Sequence, residues 1–232
     1  MNIIISGGTK GIGRAIAERF AAEGYDIVVC ARNSDELKKM EQHFPSSYQG
    51  TIQTRAVDMS RKTEVQAFGN WILEQGIVPD VVVNNAGYFI PGSVHNEEDE
   101  TLERMIETNL YSAYHFTRTL LPAMMQARKG HIFNMCSIAS LQAYANGGSY
   151  SISKFALFGF SKNLREEMKP YGIKVTAVLP GATMTASWEG SGVDPNRIME
   201  VNDVAELVYA ASKLSPQAVV EDIILRPQLG DL

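Results

Sequence analysis

Seven short runs of β-branched and other apolar residues recur along the chain, and they constrain the fold more than any other feature. The runs cover residues 3–5, 27–29, 52–57, 81–83, 131–135, 173–178 and 219–225. Between them lie longer segments with apolar residues at helical spacing, such as Ile12, Ala15, Ile16 and Phe20. Strands that alternate with helices indicate βαβ crossovers and a parallel sheet buried on both faces. We therefore predict one α/β domain over residues 1–232, a doubly wound seven-stranded parallel sheet.

The composition excludes several classes of protein. Lysine and arginine total 21 against 26 aspartate and glutamate residues, a net charge of −5, and nothing suggests the basic patch of a nucleic-acid binder. Cys30 and Cys136 lie inside apolar runs and read as buried thiols, which fits a reducing cytosol. No apolar run nears the roughly 18 residues that a membrane span needs. We expect a cytoplasmic protein that binds neither nucleic acid nor membrane, and we identify no metal site.

Residues 96–126 read as one long helix. Four consecutive acidic residues fall in its predicted first turn, where they would complement the helix dipole: Glu97, Glu98, Asp99 and Glu100. We expect this run to be a solvated first turn rather than a ligand site.

A glycine-rich loop follows the first predicted strand. Gly7, Gly11 and Gly13 have the spacing G-x-x-x-G-x-G, and an amphipathic helix follows at once. Glycines allow a tight turn and the close approach of a pyrophosphate, whose charge is stabilised by free N–H groups at the helix start. An ordinary glycine-rich turn is the alternative. A Walker-type phosphate loop is excluded because its terminal Gly-Lys-Ser/Thr is missing.

The end of the second strand discriminates between two dinucleotides. Enzymes that use NAD place Asp or Glu about 20 residues past the glycines to hold the ribose 2′-OH. Ala31 occupies that position here, and Arg32 follows it. A guanidinium suits a 2′-phosphate, and Lys10 in the glycine loop adds a second cation. We therefore predict NADP(H), and two solvated surface charges are the alternative reading.

Tyr150 and Lys154 are four residues apart in a predicted helix, and Ser137 follows the fifth strand. At this spacing the ammonium can sit beside the phenol. A free phenol has a pKa of about 10, and a nearby cation should lower that pKa toward the range that acid–base catalysis needs. A packing tyrosine with a surface lysine would produce the same short pattern.

The order of these residues resembles the short-chain dehydrogenase/reductase family over essentially the whole chain. The matching motifs are Gly7 to Gly13, Asp58, Asn84-Asn85-Ala86-Gly87, Asn109, Ser137, Tyr150, Lys154 and Pro180-Gly181. The resemblance implies a Rossmann-type sheet with strand order 3-2-1-4-5-6-7. It also implies hydride transfer between a nicotinamide and an alcohol or carbonyl.

The same resemblance implies catalytic roles for four residues. Tyr150 would protonate the developing alkoxide during reduction, and Ser137 would hydrogen-bond the same oxygen. Lys154 would bind the nicotinamide ribose and lower the pKa of the phenol. Asn109 would hold a water that joins Lys154 to solvent, and an amide satisfied locally is the alternative.

The implied cofactor residues come from loops that would meet at one edge of the sheet. Asp58 would contact adenine with Met59 at the ring edge, or would only cap its own loop. Thr183 stands where the family commonly has Val or Ile. The implied set is Gly7, Thr9, Lys10, Gly11, Ile12, Gly13, Arg32, Asn33, Asp58, Met59, Asn85, Ala86, Gly87, Tyr150, Lys154, Pro180, Gly181, Thr183 and Thr185.

The expected substrate region is apolar, with contributions from Tyr88, Phe89, Ile90, Leu141, Tyr144, Met184 and Trp188. Such a pocket suits a ring, a diketone or an acyl chain better than a sugar phosphate. Residues 221–228 do not match the glycine-rich ending usual in 3-oxoacyl-carrier-protein reductases. That difference favours a sepiapterin-reductase-like or general ketone reductase. An NAD-dependent alcohol dehydrogenase and a non-catalytic dinucleotide sensor are the alternatives.

Relatives in this family commonly form dimers and tetramers, so the resemblance implies a homodimer or homotetramer. Helices over residues 99–127 and 149–169 would form the interface, with apolar contacts available from Leu110, Ala113, Phe116, Phe155, Leu157 and Phe158. A small-molecule carbonyl or alcohol is the other expected partner.

Overall fold

A computed structural model describes residues 1–45, 48–185, 188, 190 and 192–231. These residues form one parallel sheet of seven strands in the order β3-β2-β1-β4-β5-β6-β7. The strands are β1 (Asn2–Ser6), β2 (Asp26–Ala31), β3 (Ile52–Ala56), β4 (Val81–Asn84), β5 (His131–Met135), β6 (Lys174–Pro180) and β7 (Asp222–Leu225). The predicted fold class and strand order are confirmed. The last strand begins later than its apolar run because its pairing with β6 starts only at Asp222.

Helices cover both faces of the sheet. They are α1 (Gly11–Ala21), α2 (Ser34–Gln42), α3 (Lys62–Glu74), α4 (Thr101–Ile106), α5 (Ser112–Ala127), α6 (Gly148–Met168) and α7 (Val201–Ser212). Side chains of α1, α2 and α7 pack on one face, and those of α3, α5 and α6 pack on the other. None of the helices in the described residues is long and apolar enough to cross a membrane.

Successive side chains of β1 point to opposite faces of the sheet, which shows why the sheet needs helices on both faces. Ile3 and Ile5 belong to the core under α1 and α7, whereas Ile4 points into the core under α3 and α5, and all three are fully buried. A strand covered on both faces is therefore apolar at every position. The order of the sheet reverses between β1 and β4. Ligands of doubly wound sheets bind outside the carboxyl ends of the strands at this point.

The single helix predicted over residues 96–126 is wrong at its start and in its middle. The α-helix begins at Thr101, after a turn, and a π-helical segment, Glu107–Tyr111, separates α4 from α5. The acidic run therefore precedes the helix instead of forming its first turn. The spacing of apolar residues did not reveal the π-helical segment, because a π turn adds one residue to the helix without interrupting the apolar pattern.

Only part of the predicted oligomer face is available on the surface. Ala113, Phe116 and Leu157 are buried in the subunit core, with Phe116 fully buried. Phe155 is exposed, as are Tyr111 and Ile152 on the same pair of helices. Leu110 and Phe158 are partly buried. Self-association stays a prediction, and these two residues and the outward-facing ones offer apolar surface for it.

Candidate active site

The glycine loop leaves the start of α1 open toward the carboxyl edge of the sheet. Gly11 has φ of +54°, a conformation that favours glycine, and Lys10 precedes the helix in an extended conformation without a side-chain cap. The first N–H groups of α1 thus lack a side-chain acceptor from the cap position. A Cβ on Gly13 would collide with the carbonyl oxygen of Gly7 and with Asn85. The loop therefore packs closely and presents N–H groups to an anion.

The loop after β4 is tied to the glycine loop by reciprocal hydrogen bonds. Asn85 Nδ2 donates to the carbonyl oxygens of Ser6 (3.1 Å) and Gly7 (2.8 Å). The hydroxyl of Ser6 accepts from the backbone N–H groups of Asn85 and Ala86, both at 3.1 Å. Gly87 lies beside two predicted catalytic side chains: a Cβ there would meet Asn109 Oδ1 at 3.0 Å and Lys154 Nζ at 3.5 Å. These contacts join the cofactor loop to the catalytic side chains.

Four predicted cofactor residues meet at the ends of β1 and β2. Asn33 caps α2, with Oδ1 accepting from the N–H groups of Asp35 and Glu36. Lys10 Nζ lies 2.7 Å from Glu36 Oε1, and Thr9 Oγ1 donates to Glu36 Oε2 at 3.1 Å. Arg32 is exposed, and it forms no salt bridge within the part of the chain that the structure describes. The corner predicted to hold a 2′-phosphate thus contains two cations and one carboxylate.

Asp58 organises the loop after β3. Its Oδ1 accepts from the N–H (3.0 Å) and the hydroxyl (2.8 Å) of Ser60. Burial favours the neutral carboxyl, but the hydrogen bonds from Ser60 and the charges of Arg32 and Arg61 outweigh it and lower the pKa of Asp58. The local capping role is therefore present. Met59 is buried, with Sδ 3.6 Å from Cys30 Sγ, so its side chain belongs to the core.

The loop after β6 contains predicted cofactor residues and approaches the glycine loop. The N–H of Gly181 donates to the carbonyl oxygen of Leu225 at 2.8 Å, which holds the loop against β7. Thr183 is buried and donates to the carbonyl oxygen of Gly181 at 3.0 Å, so a polar side chain is satisfied where Val or Ile is common in the family. Thr185 reaches the glycine loop, since a Cβ on Gly11 would lie 3.3 Å from its Cγ2.

Tyr150 lies in the first turn of α6, and its phenol lies close to the side chain of Ser137. Burial raises the pKa of Tyr150, and the nearby Ser137 hydroxyl opposes that rise without cancelling it. The expected lowering of this pKa by Lys154 is therefore wrong for the ligand-free protein. The ammonium lies 5.7 Å from the centre of the phenol ring, and burial is the largest influence on the pKa of Tyr150. Tyr150 is held in its neutral, proton-donating form.

Lys154 is buried beneath the site. Its Nζ donates to the carbonyl oxygen of Met135 at 2.7 Å, at the end of β5. Burial lowers the pKa of Lys154 to about 8, with a small opposing contribution from Cys136. A buried ammonium with one backbone acceptor is poorly compensated, and further oxygen atoms at the site would stabilise its charge. Ribose hydroxyls could supply such oxygens.

Asn109 lies inside the π-helical segment and is buried. Its Oδ1 accepts from the N–H of Tyr88 at 2.9 Å, while its Nδ2 donates to the carbonyl oxygen of Tyr88 and the hydroxyl of Ser153, both at 3.0 Å. These bonds match the alternative of an amide satisfied locally. Asn109 therefore anchors the loop after β4 to α6, and a water relay through it stays a prediction.

Aromatic side chains form one wall beside the phenol. Phe89 meets Tyr150 edge to face, with ring centres 4.9 Å apart. Burial, with a smaller contribution from Tyr150, raises the pKa of Tyr144 to about 12. A cleft of about 500 Å³ opens on the outer side of α6 between residues that include Val94, Tyr144 and Ile152. Of the predicted substrate residues, Tyr144 lines this cleft, and an apolar substrate region stays a prediction.

Glu97 connects the loop after β4 to the start of α6. Its carboxylate accepts from the N–H of Ser149 at 2.8 Å and also from the hydroxyl of that serine. A Cβ on Gly148 would collide with the same carboxylate, so the glycine makes this close approach possible. The expectation that the acidic run is only a solvated turn is therefore wrong for Glu97, which caps the helix that carries Tyr150.

Replacing this cap should destabilise the fold measurably. We expect Glu97→Ala to lower the free energy of unfolding by about 1–2 kcal/mol, since it removes the acceptor for two donors at a helix start. Glu97→Gln keeps an acceptor oxygen and should cost less. Glu98→Ala is the matched control, because the Glu98 side chain is 89% exposed. Urea denaturation measures all three, and equal losses for Glu97→Ala and Glu98→Ala would contradict the assignment.

Glu36 and Glu97 were not among the predicted site residues. Glu36 reaches Lys10 across 26 residues of sequence and Glu97 reaches Ser149 across 52, counted from their numbers, so local patterns carry no trace of either contact. Acidic residues near helix starts are common for their dipole effect alone. The sequence signal that could have suggested a second role for Glu97 is the Gly147-Gly148 pair next to Ser149.

A dinucleotide fits the arrangement of these residues. The start of α1 lacks a side-chain cap, and the glycine loop leaves no space for a Cβ at Gly13. Two cations stand at the end of β2, and the buried Lys154 adjoins Gly87. This donor set matches phosphates at one end and ribose hydroxyls at the other.

Comparison with known proteins gives a consistent result. The sequence model described as short chain dehydrogenase matches residues 1–195. The sepiapterin reductase of Chlorobaculum tepidum is 30% identical over 99% of this chain and 97% of its own length. The alcohol dehydrogenase of Thermococcus sibiricus, complexed with 5-hydroxy-NADP, superposes with a TM-score of 0.91 at 26% identity over 100% of this chain and 98% of its own. A metagenomic short-chain oxidoreductase in complex with NADP has a TM-score of 0.85 at 28% identity over 98% and 97% of the two chains. The chain therefore belongs to the short-chain dehydrogenase family.

Proposed function

We propose that the protein is an oxidoreductase that reduces a carbonyl group to an alcohol with NADPH, Tyr150 acting as the general acid. The neutral Tyr150 phenol, which lies close to Ser137 and meets the ring of Phe89, carries this proposal. Its raised pKa keeps the proton available at neutral pH. A neutral phenol beside an apolar ring suits proton donation to a developing alkoxide.

In this mechanism NADPH supplies the hydride when bound. Tyr150 donates its proton to the carbonyl oxygen as negative charge develops there, so that one hydride and one proton convert the carbonyl to the alcohol. Ser137 donates a hydrogen bond to the same oxygen, an interaction that strengthens as the charge grows. Lys154 would orient the ribose, and its ammonium would stabilise the phenolate that Tyr150 becomes when it gives up its proton. Aromatic side chains exclude water from the reacting carbonyl.

The cations at the end of β2 support NADP(H) over NAD(H). Ala31 leaves the ribose 2′ position without the acidic side chain that a free 2′-hydroxyl would need, whereas Arg32 and Lys10 suit a phosphate. Solved relatives named above were crystallised with NADP or a derivative of it. An NAD-dependent alcohol dehydrogenase would have no use for two cations at this corner.

The substrate class that fits best is an apolar ketone or diketone. Phe89 and Tyr144 place aromatic rings close to Tyr150, and neither carries a charge. The similarity to a sepiapterin reductase makes sepiapterin a candidate substrate. A non-catalytic sensor is less compatible, because the tyrosine, serine and lysine converge as catalysis requires.

Oxidation of NADPH against a panel of ketones, diketones and acyl thioesters tests this function. We expect turnover with apolar ketones, and binding of NADPH tighter than that of NADH. Arg32→Ala should weaken NADPH binding roughly tenfold and leave NADH binding nearly unchanged, since only NADPH carries the 2′-phosphate. Fluorescence titration measures both constants, with Arg118→Ala, an exposed arginine on α5, as the control. Equal affinities for the two dinucleotides in the parent protein would overturn the cofactor assignment.

A further inference from the structure

The corner at the end of β2 contains a carboxylate where only cations were predicted. Glu36 lies in the first turn of α2, and its side chain is 27% exposed. A first-turn glutamate needs no partner beyond the helix dipole. Here, however, its two oxygens are directed to a different element: Oε1 lies 2.7 Å from Lys10 Nζ, and Oε2 accepts from Thr9 at 3.1 Å.

The contacts fix the carboxylate from several sides. Asn33 Nδ2 donates to Oε1 at 3.3 Å, in addition to capping the helix on which Glu36 lies. The hydrogen bond from Lys10 lowers the pKa of Glu36 against a small opposing effect of burial, so the group is ionised at neutral pH. The lysine expected to meet a 2′-phosphate therefore already has a resident anion.

We propose that Glu36 is a specificity-determining residue, an internal counter-ion that competes with the 2′-phosphate of NADP(H) for Lys10 and so limits the preference for NADP(H) over NAD(H). This inference rests on the proposed function, because it assumes that the 2′-phosphate binds at this corner. A phosphate monoester carries about −1.5 to −2 charges at pH 7. Bringing it to Lys10 places it beside the carboxylate, and like charges that share one cation repel each other.

Arg32 does not face the same competition. It forms no salt bridge with any residue that the structure describes, and it lies on the side of the corner toward Asp58, whose pKa its charge helps to lower. The two cations are thus unequal: Arg32 is available to the phosphate, whereas Lys10 must be shared with or released from Glu36. In NAD(H) the ribose offers an uncharged hydroxyl, so the carboxylate has little effect on its binding.

Glu36→Gln is the informative change, because glutamine keeps an oxygen that can accept from Thr9 and Lys10 but removes the charge. We expect it to tighten NADPH binding roughly three- to tenfold, equivalent to about 0.7–1.4 kcal/mol, with NADH binding changed less than twofold. The dissociation constants are measured by fluorescence titration of the ligand-free protein. Calorimetry with adenosine 2′,5′-bisphosphate against adenosine 5′-monophosphate isolates the corner from the nicotinamide end.

Two further variants make the result specific. Asp35→Asn removes a carboxylate from the same first turn of α2, one residue away, and it should leave both constants unchanged. Lys10→Met should weaken NADPH binding. In the Lys10→Met protein, adding Glu36→Gln should change NADPH binding no more than Asp35→Asn does, since the shared cation is gone. Such a double-mutant cycle assigns the coupling to the Lys10–Glu36 pair.

The outcomes separate the two proposals. If the parent protein binds NADPH and NADH equally, the cofactor assignment fails. If the parent prefers NADPH but Glu36→Gln leaves the ratio of the two constants unchanged, the corner is correct and the counter-ion role is wrong. Weaker NADPH binding by Glu36→Gln would also overturn the inference, since it would show that the carboxylate holds Lys10 in place for the phosphate.

Discussion

Tyr150→Phe should abolish carbonyl reduction while leaving NADPH binding and folding nearly intact. The change removes one hydroxyl, which lies close to Ser137, and keeps the ring that meets Phe89 edge to face, with ring centres 4.9 Å apart. Loss of a positioned acid costs on the order of 10²–10⁴ in rate, or about 3–5 kcal/mol of barrier. Steady-state turnover of a ketone and titration of NADPH measure the two effects separately.

Tyr144→Phe provides the matched control for this experiment. Tyr144 lies close enough to Tyr150 for the two phenols to interact, and its pKa of about 12 also keeps it protonated. If any neutral phenol in the cleft could donate the proton, both variants would lose activity alike. We expect less than a tenfold loss for Tyr144→Phe. Reduction at the parental rate by Tyr150→Phe would remove the centre of the proposed mechanism.

Lys154→Met should damage catalysis and NADPH binding together, because one ammonium serves both the ribose and the phenol. We expect a loss in rate of on the order of 10² or more and a clear weakening of NADPH binding. Ser137→Ala offers the contrast, since it should lower the rate with little change in cofactor affinity, as an interaction strongest in the transition state does. A lysine variant that affected only one of the two quantities would argue against the shared role.

The same substitution has a distinct signature in the stability of the ligand-free protein. Burial lowers the pKa of Lys154 from 10.5 to about 8, so the folded state carries a penalty for the charged lysine that is full below pH 8 and is relieved as the pH rises toward 10.5. The free energy of unfolding of Lys154→Met minus that of the parent should therefore be largest below pH 8. This difference should fall by about 3 kcal/mol as the pH rises to 10.5. Other titrating groups largely cancel in this difference. Urea denaturation across this range measures it, and a pH-independent difference would show that the lysine is not desolvated.

The fold was predictable because its determinants are repeated along the chain. Every buried strand is a short apolar run, and the helices between them have apolar residues at helical spacing, so strand order followed once the family resemblance was recognised. The position of α4 was not predictable to the same degree. An acidic run reads as a first helical turn, and the contact that removes Glu97 from the helix is made with Ser149, far along the sequence.

Ionisation in the site was the least predictable property. Spacing correctly placed Lys154 near Tyr150, but the sequence does not contain the depth at which each group is buried. Desolvation raises the pKa of the phenol and lowers that of the ammonium, and it is the largest influence on both groups. Likewise, the sequence indicated two cations, Arg32 and Lys10, near the 2′-phosphate. The carboxylate of Glu36 reaches Lys10 only in the folded chain, so the sequence did not reveal it.

The contact between Glu97 and Ser149 bears on how this protein could acquire new substrates. The loop that carries Phe89 is fastened to the start of α6 by Glu97 and by the hydrogen bond from the N–H of Gly92 to the carbonyl oxygen of Asn146, 3.1 Å long. Mutations that reshape this side of the cleft therefore also shift the helix that holds the acid. Selection for a different substrate through this loop should alter turnover along with selectivity. Laboratory evolution that seeks selectivity alone should instead diversify residues that take no part in these contacts.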